Sequence, residues 1–400
     1  MLPFTFYSPT KIVFGEDTAY GVGDILKELG GSRPFVVSDA NLVAAGVLRA
    51  VLESLKEAGL GDPVIFDQVP PDSDLDCVRS ASALARQHGC DCIVAVGGGS
   101  VIDTGKAANI SLVLDGDIRD FEGMHAVPRA LAPLVVLPTT AGTGSEVSAV
   151  AMVKNKDEHT KLAFGSYYLF PSVAVLDPKL LMSLPPKLTA ATGMDALTHA
   201  IECFCATTTN PASDALCLES MRMIFQDLCR ATMHGDDLDA RSSTLIASTM
   251  AGIAFTNGGV GIVHALAHTV GARYDTHHGV TNAIFLPYGM IFNMAACAHR
   301  FAFAFRSLCA ALRAAPEPVG HWFAGASQHD SQAAEQLIEA VRQLHRACRL
   351  PTRLRDIGVP ALSQDEISEL AVVASTDSAI MFNVREASVE DLEYILKGAW

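Results

Sequence analysis

The sequence predicts two domains of different class, an α/β domain with a parallel sheet followed by an all-α domain. In the first half of the chain, apolar runs of strand length alternate with helical patterns, whereas strand-like runs are almost absent after Asp177. The 400 residues are enough for two domains of ordinary size. We expect the boundary near residue 183, which gives domains 1–183 and 184–400.

The composition excludes several classes of protein. Half of the residues are hydrophobic and 18% are charged. Disordered chains have a much lower hydrophobic content than this. The net charge of -15 argues against binding to nucleic acid and to anionic lipid, because both need a basic surface. We therefore expect a globular enzyme that acts on a small molecule, with no nucleic-acid or membrane partner.

Cysteine usage and the N-terminal sequence predict a cytoplasmic protein. The ten cysteines are scattered and form no CxxC pair, so neither a disulfide framework nor a zinc ribbon is expected. Cys90/Cys92 and Cys203/Cys205 are interpreted as small core residues. Residues 1–15 lack a basic segment followed by an apolar run, so no signal peptide is expected.

One stretch is long and apolar enough to be confused with a membrane helix. No charged residue lies between Arg241 and Arg273, a span that exceeds the roughly 20 residues a membrane helix needs. The stretch nevertheless contains Asn257, three glycines of the run 258–261 and two histidines, which are costly in lipid. It is therefore predicted to form two buried helices of a large core.

The elements of the first domain predict a nucleotide-binding sheet. Helices are expected from Leu42 to Ala58 and from Leu75 to His88, between strand-like runs. Strands separated by helices of this length require right-handed crossovers and hence a parallel sheet. The predicted strands are 34–38, 63–66, 92–96, 134–137, 147–153 and 173–176.

A glycine-rich segment, Gly97 to Lys106, directly follows a predicted strand and opens a helix. Glycines let the backbone approach a pyrophosphate, and a helix N-terminus offers free N–H groups to it. The segment matches neither the G-x-G-x-x-G nor the Walker A pattern, and Ser100 with Asp103 can cap the helix without any ligand. Its place at the carboxyl end of a strand favours dinucleotide binding.

Two further segments are candidates for the same ligand. Asp39, at the end of an earlier strand, can accept hydrogen bonds from a ribose and would repel a 2′-phosphate, which favours NAD over NADP. Alternatively, Asp39 is an ordinary cap or turn residue. The run 138–146, rich in threonine, serine and glycine, can wrap a ribose or phosphate, or can form a tight loop.

Histidines and an aspartate in helical register predict a metal site in the second domain. Asp195 and His199 are four residues apart, as are His264 and His268, and His278 follows. A lone histidine among apolar residues is usually a hydrogen-bonded core residue, but several in register with an aspartate favour a metal. One carboxylate oxygen with three imidazole nitrogens suits Fe²⁺, Zn²⁺ or a similar ion. No HExxH motif occurs, so a metalloprotease site is not expected.

Over essentially its whole length, the chain resembles the iron-containing (group III) alcohol dehydrogenase family. The motifs that carry this resemblance lie in both predicted domains. They are Pro9-Thr-Lys-Ile-Val-Phe-Gly15, Gly97-Gly-Gly-Ser100 with Asp103 and Lys106, Pro138-Thr-Thr-Ala-Gly-Thr-Gly-Ser-Glu146, Ala191-Thr-Gly-Met-Asp-Ala-Leu-Thr-His199, His264-Ala-Leu-Ala-His268 and His278-Gly-Val-Thr-Asn282. The resemblance implies a dehydroquinate synthase-like architecture, with an α/β dinucleotide-binding domain and an all-α metal-binding domain.

The resemblance also implies roles for individual residues. The implied metal ligands are Asp195, His199, His264 and His278, and His268 is implied to lie beside the substrate. The implied NAD-binding residues are Gly98, Gly99 and Ser100 at the pyrophosphate, Asp39 at the adenosine ribose, and Thr139, Thr140, Ser145 and Lys161 elsewhere on the cofactor. The family favours Fe²⁺ as the metal, with Zn²⁺ as the alternative.

The implied reaction is reversible hydride transfer between a small primary alcohol or diol and NAD, in a cleft between the domains. The metal would act as a Lewis acid on the alcohol or aldehyde oxygen, and His268 is a candidate proton relay. Phe255, Ile262 and Phe285 are candidates for an apolar substrate pocket. We expect a homodimer or larger homo-oligomer.

Two alternatives remain at this point. The first is a metal- and NAD-dependent lyase of the dehydroquinate-synthase kind, which would need several basic residues to hold a phosphorylated, acidic substrate. The uncharged stretch 242–272 disfavours it. The second is a catalytically idle, metal-stabilised oligomerisation or regulatory protein, which the intact set of candidate ligands disfavours.

Overall fold

The computed structural model describes residues 3–158 and 160–400, and it divides the chain into two compact units. The α/β unit comprises residues 8–184, and the helical unit comprises residues 185–400 together with residues 3–7. The N-terminal segment groups with the helical unit because Tyr7 exchanges two backbone hydrogen bonds with the side chain of Asn257. Met1 and Leu2, the first residues of the N-terminal segment analysed above, lie outside the described residues.

A six-stranded parallel sheet forms the centre of the α/β unit, with strands in the order β1-β9-β6-β4-β2-β3. A smaller sheet has the order β5-β8-β7, in which β7 and β8 are antiparallel. In the described part of the chain, the strands are β1 (Lys11–Phe14), β2 (Pro34–Val37), β3 (Val64–Phe66), β4 (Cys92–Gly97), β5 (Gly123–Met124), β6 (Leu134–Pro138), β7 (Val150–Asn155), β8 (Thr160–Gly165) and β9 (Val173–Leu176). The strands β2, β4 and β6 are buried along their whole length, as their continuous apolar sequences require.

Helices connect the parallel strands of this unit. They are α1 (Val22–Glu28), α2 (Ala40–Ala44), α3 (Arg49–Glu57), α4 (Leu75–Gln87) and α5 (Gly99–Val113). The single helix expected from Leu42 to Ala58 is wrong, because α2 and α3 are separate helices. Gly46 lies between them at φ 73°, a left-handed conformation that ends a right-handed helix.

The second unit is helical, and no strand occurs among its described residues. Its helices are α6 (Pro186–Cys205), α7 (Pro211–Met233), α8 (Leu238–Gly258), α9 (Ile262–Tyr274), α10 (His278–Leu312), α11 (Val319–Trp322), α12 (Asp330–Ala347), α13 (Gln364–Ser375) and α14 (Val389–Ala399). Helix α7 packs against α6 and α8, and α10 packs against α6, α9 and α12. A parallel-sheet unit followed by a helical unit confirms the predicted fold class.

The uncharged stretch between Arg241 and Arg273 forms most of α8 and α9, as predicted. These two helices meet at an angle of 104°. Helix α10 also has the length and hydropathy of a membrane span, yet 72% of its apolar window is buried inside the protein. The apolar composition of these helices is therefore accounted for by the core that they build.

All ten cysteines are free thiols, and eight of them are buried. Cys92 begins β4 and Cys90 lies two residues before it, and both are buried, as expected of small core residues. Cys203 and Cys205 are also buried, although they lie on α6 rather than on a strand.

Candidate metal and cofactor sites

The sheet order of the α/β unit brings three of the predicted cofactor segments to one edge. Strands β2, β4 and β6 are neighbours and run parallel, so their carboxyl ends lie side by side. Asp39 follows β2, Gly98 follows β4 and Thr139 follows β6. Ligands of open α/β sheets bind at this edge.

Gly98 and Gly99 lie close to the loop after β6, where a side chain would collide with the loop at Gly99 and make a tight contact with it at Gly98. A Cβ atom at Gly99 would be 2.7 Å from Cγ2 of Thr143, and one at Gly98 would be 3.2 Å from Cγ2 and Oγ1 of Thr140. Gly98 is the N-cap of α5, so the backbone N–H groups of the first turn begin here. We call residues 98–100 together with the loop 139–147 the cofactor cradle.

Ser100 and Lys161 are joined through Asp72, which the sequence analysis did not single out. The backbone N–H of Asp72 donates to Oγ of Ser100 at 3.1 Å, and Nζ of Lys161 donates to Oδ1 of Asp72 at 2.9 Å. Asp72 has a left-handed backbone, φ 53°, a conformation in which aspartate is over-represented. Its position in the loop after β3, at the carboxyl edge of the sheet, is the signal that could have identified it.

Ser145 is held to helix α5 by Asp103. Oγ of Ser145 donates to Oδ1 of Asp103 at 2.5 Å, and the backbone N–H of Met152 donates to Oδ2 at 3.0 Å. Burial raises the pKa of Asp103. Thr139 is buried and donates its backbone N–H to the carbonyl of Gly97 at 3.1 Å, so both ends of the loop 139–147 are fixed.

Lys106 is a fully buried ammonium on the same helix. Its Nζ donates to the carbonyl and the hydroxyl of Ser148, at 2.8 and 3.0 Å, and to the carbonyl of Val150 at 2.9 Å. All three N–H bonds of the ammonium thereby have an acceptor. Burial lowers the pKa of Lys106 to about 8, against the opposing charges of Asp103 and Glu146.

Asp39 is the N-cap of helix α2. Its Oδ1 accepts from the backbone N–H groups of Asn41 and Leu42, at 2.9 and 3.1 Å. These are the contacts of a cap aspartate, the alternative interpretation given above. The role of Asp39 toward a ribose stays a prediction.

In the helical unit, three of the four predicted metal ligands form a compact buried group. Asp195 and His199 lie one turn apart on α6, and His264 lies in the first turn of α9. One ligand atom from each of the three lies within 4.8 Å of the others, and all three residues are buried. The spacing at i and i+4 therefore brings the carboxylate and the imidazole to one helix face, as expected.

His278, the fourth predicted ligand, begins α10 beside this group. Its Nε2 lies 3.5 Å from Oδ1 of Asp195, and its ring centroid lies 5.5 Å from that of His264. The side-chain amide of Asn282, one turn further along α10, donates to Oδ1 of Asp195 at 2.6 Å and lies 3.1 Å from Nε2 of His278. We call Asp195, His199, His264 and His278 the ligand cluster.

The ligand cluster fits a divalent transition metal. Nε2 of His264 is buried and has no hydrogen-bond partner among the described residues. An unsatisfied buried nitrogen is costly unless something occupies its lone pair. One carboxylate oxygen and three imidazole nitrogens provide the donor set that Fe²⁺ or Zn²⁺ accepts.

A buried carboxylate, Glu202, supports His264 from the side opposite the cluster. Nδ1 of His264 lies 2.6 Å from Oε2 of Glu202. Burial opposes protonation of the imidazole, but the hydrogen bond and charge of Glu202, with the charges of Asp195 and Asp377, raise the pKa of His264. Glu202 therefore holds His264 by its Nδ1.

His268 lies next to the ligand cluster but bonds to a different carboxylate. Its Nδ1 lies 3.0 Å from Oδ2 of Asp377, and its ring stacks on that of His278 with centroids 5.3 Å apart. Burial works against ionisation of Asp377, but the charge and hydrogen bond of His268 outweigh it and lower the pKa of Asp377. His268 is 18% exposed, in contrast to the 3% of His264.

Of the three candidate pocket residues, the structure places only one beside the ligand cluster and partly exposed. The ring of Phe255 stacks on that of His199, with centroids 4.5 Å apart. Ile262 and Phe285 are fully buried in the core of the helical unit, so the prediction that they line a pocket is wrong. A continuous apolar sequence does not tell a pocket wall from a core residue.

The residues that support the predicted site were not predicted from the sequence. Glu202 falls three residues after His199 and seven after Asp195, so the same helical spacing could have identified it. Asn282 was noted only as part of a motif. Asp377 lies more than 100 residues from His268, and no local sequence pattern indicates their contact.

Comparison with known proteins agrees with this arrangement in both halves of the chain. Residues 9–178 match the sequence model of the iron-containing alcohol dehydrogenase family, and residues 189–400 match the model of the C-terminal part of that family. The chain is 35% identical to an NAD-dependent methanol dehydrogenase of Bacillus methanolicus, over 98% of this chain and 99% of the relative. It is 36% identical to a 1,3-propanediol dehydrogenase of Klebsiella pneumoniae, over 99% of each chain.

A solved structure of a 1,3-propanediol oxidoreductase superimposes with a TM-score of 0.92 at 34% identity, covering 100% of both chains. These similarities confirm the predicted alcohol dehydrogenase class and give no support to the lyase alternative. Because both family models match and whole-length relatives share more than a third of their residues with it, the protein belongs to the iron-containing alcohol dehydrogenase family.

Proposed function

We propose that this alcohol dehydrogenase interconverts a small primary alcohol or diol and its aldehyde, with NAD as the hydride acceptor and donor. The observation that carries the proposal is the buried group of Asp195, His199 and His264, with His278 beside it. In this proposal the ligand cluster holds one divalent metal ion. The ion, when bound, supplies Lewis acidity toward the alcohol or aldehyde oxygen.

The protein's own residues hold the reacting groups and handle the proton. The burial of Asp195, His199 and His264 keeps bulk water from the donor atoms, which strengthens every electrostatic interaction there. His268 has Nδ1 on Asp377, so Nε2 is the atom that can give or take the proton of the alcohol. Its partial exposure suits a group that exchanges this proton with solvent.

The cofactor cradle is the proposed binding place of NAD. Gly98, Gly99 and Ser100 would hold the pyrophosphate on the N-terminus of α5, and Asp39 would accept from the adenosine ribose. The residues proposed to contact other parts of the cofactor are Thr139, Thr140, Ser145 and Lys161. The relative named an NAD-dependent methanol dehydrogenase supports NAD as the dinucleotide.

The metal and the substrate are assigned by chemistry and by similarity. We propose Fe²⁺ as the metal, because the family is iron-containing, with Zn²⁺ as the alternative that the same donor set accepts. The names of the relatives, a methanol and a 1,3-propanediol dehydrogenase, support a small alcohol or diol as substrate.

The cellular setting and domain roles belong to the same proposal. Ten free thiols support a reducing compartment, so we place the protein in the cytoplasm. We assign NAD binding to residues 1–183 and metal and substrate binding to residues 184–400. A homodimer or larger homo-oligomer is proposed, and sedimentation of the purified protein measures its size.

The experiment that tests this function is NADH formation at alkaline pH by protein stripped of metal and then reloaded with Fe²⁺ or Zn²⁺. A panel of small alcohols and diols supplies the substrates, and Asp195→Ala is the control that should stay inactive with either metal. Metal-dependent turnover is the expected result, and the ranking of the alcohols identifies the substrate class. No turnover across the panel, with metal and NAD both shown to bind, would contradict the proposal.

A further inference from the structure

Glu202 is a buried carboxylate that binds two parts of helix α9 at once. It lies on α6, one turn after His199, and its side chain is 4% exposed. Its Oε1 accepts from the backbone N–H of Val263 at 2.7 Å. Its Oε2 lies 2.6 Å from Nδ1 of His264 and 3.4 Å from the backbone nitrogen of the same residue.

The first of these contacts fixes where α9 begins. The N-cap of α9 is Gly261, which has no side chain to satisfy the first N–H groups of the helix. Glu202 and Asn383 provide the acceptors instead, since Oδ1 of Asn383 accepts from the N–H of Ile262 at 3.2 Å. A Cβ atom at position 261 would lie 3.0 Å from Oε1 of Glu202 and 2.7 Å from Oδ1 of Asn383, so glycine lets both acceptors approach.

The second contact determines which nitrogen of His264 carries a hydrogen. Glu202 accepts from the backbone N–H groups of Val263 and His264, and an ionised carboxylate can only accept hydrogen bonds. In the neutral imidazole, the form that can bind a metal, Nδ1 must therefore be the donor, which leaves the lone pair on Nε2. That is the atom without a hydrogen-bond partner among the described residues.

From these contacts we infer that Glu202 is a positioning residue, which holds His264 in the Nδ1–H tautomer with Nε2 directed to the metal. The inference rests on the proposed metal site. Carboxylates that bind the far nitrogen of a ligating histidine fix its tautomer and ring orientation, and losing one typically weakens metal binding 10- to 100-fold. Here the same carboxylate also fixes the start of the helix that carries the histidine.

The substitution Glu202→Gln tests this role with almost no change of shape. An amide has one acceptor and one donor end. If the oxygen of Gln faces Val263, its NH₂ group faces Nδ1 of His264 and forces the hydrogen onto Nε2, where it blocks metal binding. If the amide is reversed, its NH₂ group opposes the backbone N–H of Val263. In either orientation, one of the two hydrogen bonds that the carboxylate accepts is lost.

The measurement is metal affinity rather than turnover. Metal-free wild-type and Glu202→Gln protein are titrated with Zn²⁺ against a chromophoric chelator, and with Co²⁺ by its visible absorption. We expect Zn²⁺ affinity about 10- to 100-fold weaker in the variant and a changed Co²⁺ spectrum. Asp227→Asn is the matched control, because Asp227 is also a buried helical carboxylate but bonds to Arg230 and Ser243. It should bind Zn²⁺ as the wild type does.

Each outcome decides the inference. Wild-type Zn²⁺ affinity in Glu202→Gln would overturn it, as would an equal loss in Asp227→Asn. If wild-type protein binds neither ion, the proposed metal site itself fails, which is a different result.

If Glu202→Gln does not fold, the tautomer is measured directly in wild-type protein. Long-range ¹⁵N–¹H spectra of metal-free, ¹⁵N-histidine-labelled protein report it, and His264→Ala identifies the signal. At a pH high enough for the imidazole to be neutral, the Nδ1–H form is expected, and an Nε2–H form would overturn the inference.

Discussion

The cofactor cradle and the ligand cluster belong to the same protein but are built in different ways. The cradle brings the backbone of two glycines against the loop after β6, where a side chain at Gly99 would collide with Thr143, and its residues lie at the ends of neighbouring strands. The ligand cluster consists of side chains from three helices, held by further buried side chains. The cradle therefore depends on the lack of a side chain at its glycines, whereas the ligand cluster depends on the presence of particular side chains.

The strongest test of this contrast removes one ligand from the cluster. Asp195→Ala should lose the metal and lower NADH formation about a thousandfold or more, because the Lewis acid contributes several kcal/mol to the transition state. NADH binding, measured by fluorescence, should stay within about twofold of the wild type if the two sites are independent. Metal content by elemental analysis checks the first statement, and an Asp195→Ala protein that keeps its metal would contradict it.

A smaller effect is expected beside the cluster, at His268. His268→Ala should lower turnover about 100-fold, the ordinary contribution of a proton-transfer group, while the metal stays bound. Asp377→Asn, which keeps the histidine but changes its partner at Nδ1, should have a weaker effect in the same direction. Loss of metal from His268→Ala would instead make His268 a ligand.

In the cradle, adding a methyl group to a glycine should weaken the binding of NADH. Gly99→Ala places a Cβ atom 2.7 Å from Thr143 and should raise the Kd for NADH about tenfold, equivalent to about 1.4 kcal/mol. Gly98→Ala, with its nearest approach at 3.2 Å, should have a smaller effect. Metal content should be the same in both variants. Equal NADH affinity in wild type and Gly99→Ala would show that the cradle tolerates a side chain.

The smallest effect concerns stability of the α/β unit and its dependence on pH. Burial opposes ionisation of Asp91, but hydrogen bonds from Ser32 and from the backbone N–H groups of Ser32 and Arg33 lower its pKa to about 2. A depressed pKa stabilises the fold above the unfolded value, near 3.9, and this contribution disappears as pH falls toward 2. Asp91→Asn should therefore lower Tm by about 2–4 °C at pH 7, and the difference should shrink below about pH 4. A difference that grows in acid would contradict this assignment.

Much of the fold could be predicted because it rests on local sequence. Continuous apolar runs such as Cys92–Gly97, set between helical patterns, are typical of strands buried in a parallel sheet. The change of hydrophobic periodicity after Asp177 marks the helical unit. The split of the expected helix into α2 and α3 was missed, because a glycine in a helical pattern can either be tolerated within the helix or end it. Only its positive φ distinguishes the two cases.

The candidate site could be predicted in part for the same reason. Spacing at i and i+4 on one helix reveals Asp195 with His199, and the strand-glycine-helix order reveals Gly98 and Gly99. Asp72 reaches the cradle through hydrogen bonds with Ser100 and Lys161, and Asp377 reaches His268, beside the ligand cluster, through one hydrogen bond. Such contacts depend on tertiary packing, and no periodicity in a single sequence indicates them.

The buried ammonium of Lys106 has a consequence for how the cradle meets its ligand. Lys106 binds α5 to the start of β7, Asp103 binds the same helix to Ser145 and Met152, and β7 pairs with the strand that carries Lys161. These groups therefore form one preorganised frame. A frame that is already ordered loses little conformational entropy on binding. If NAD binds here as proposed, the free energy of its contacts therefore contributes to affinity and is not offset by ordering of the chain.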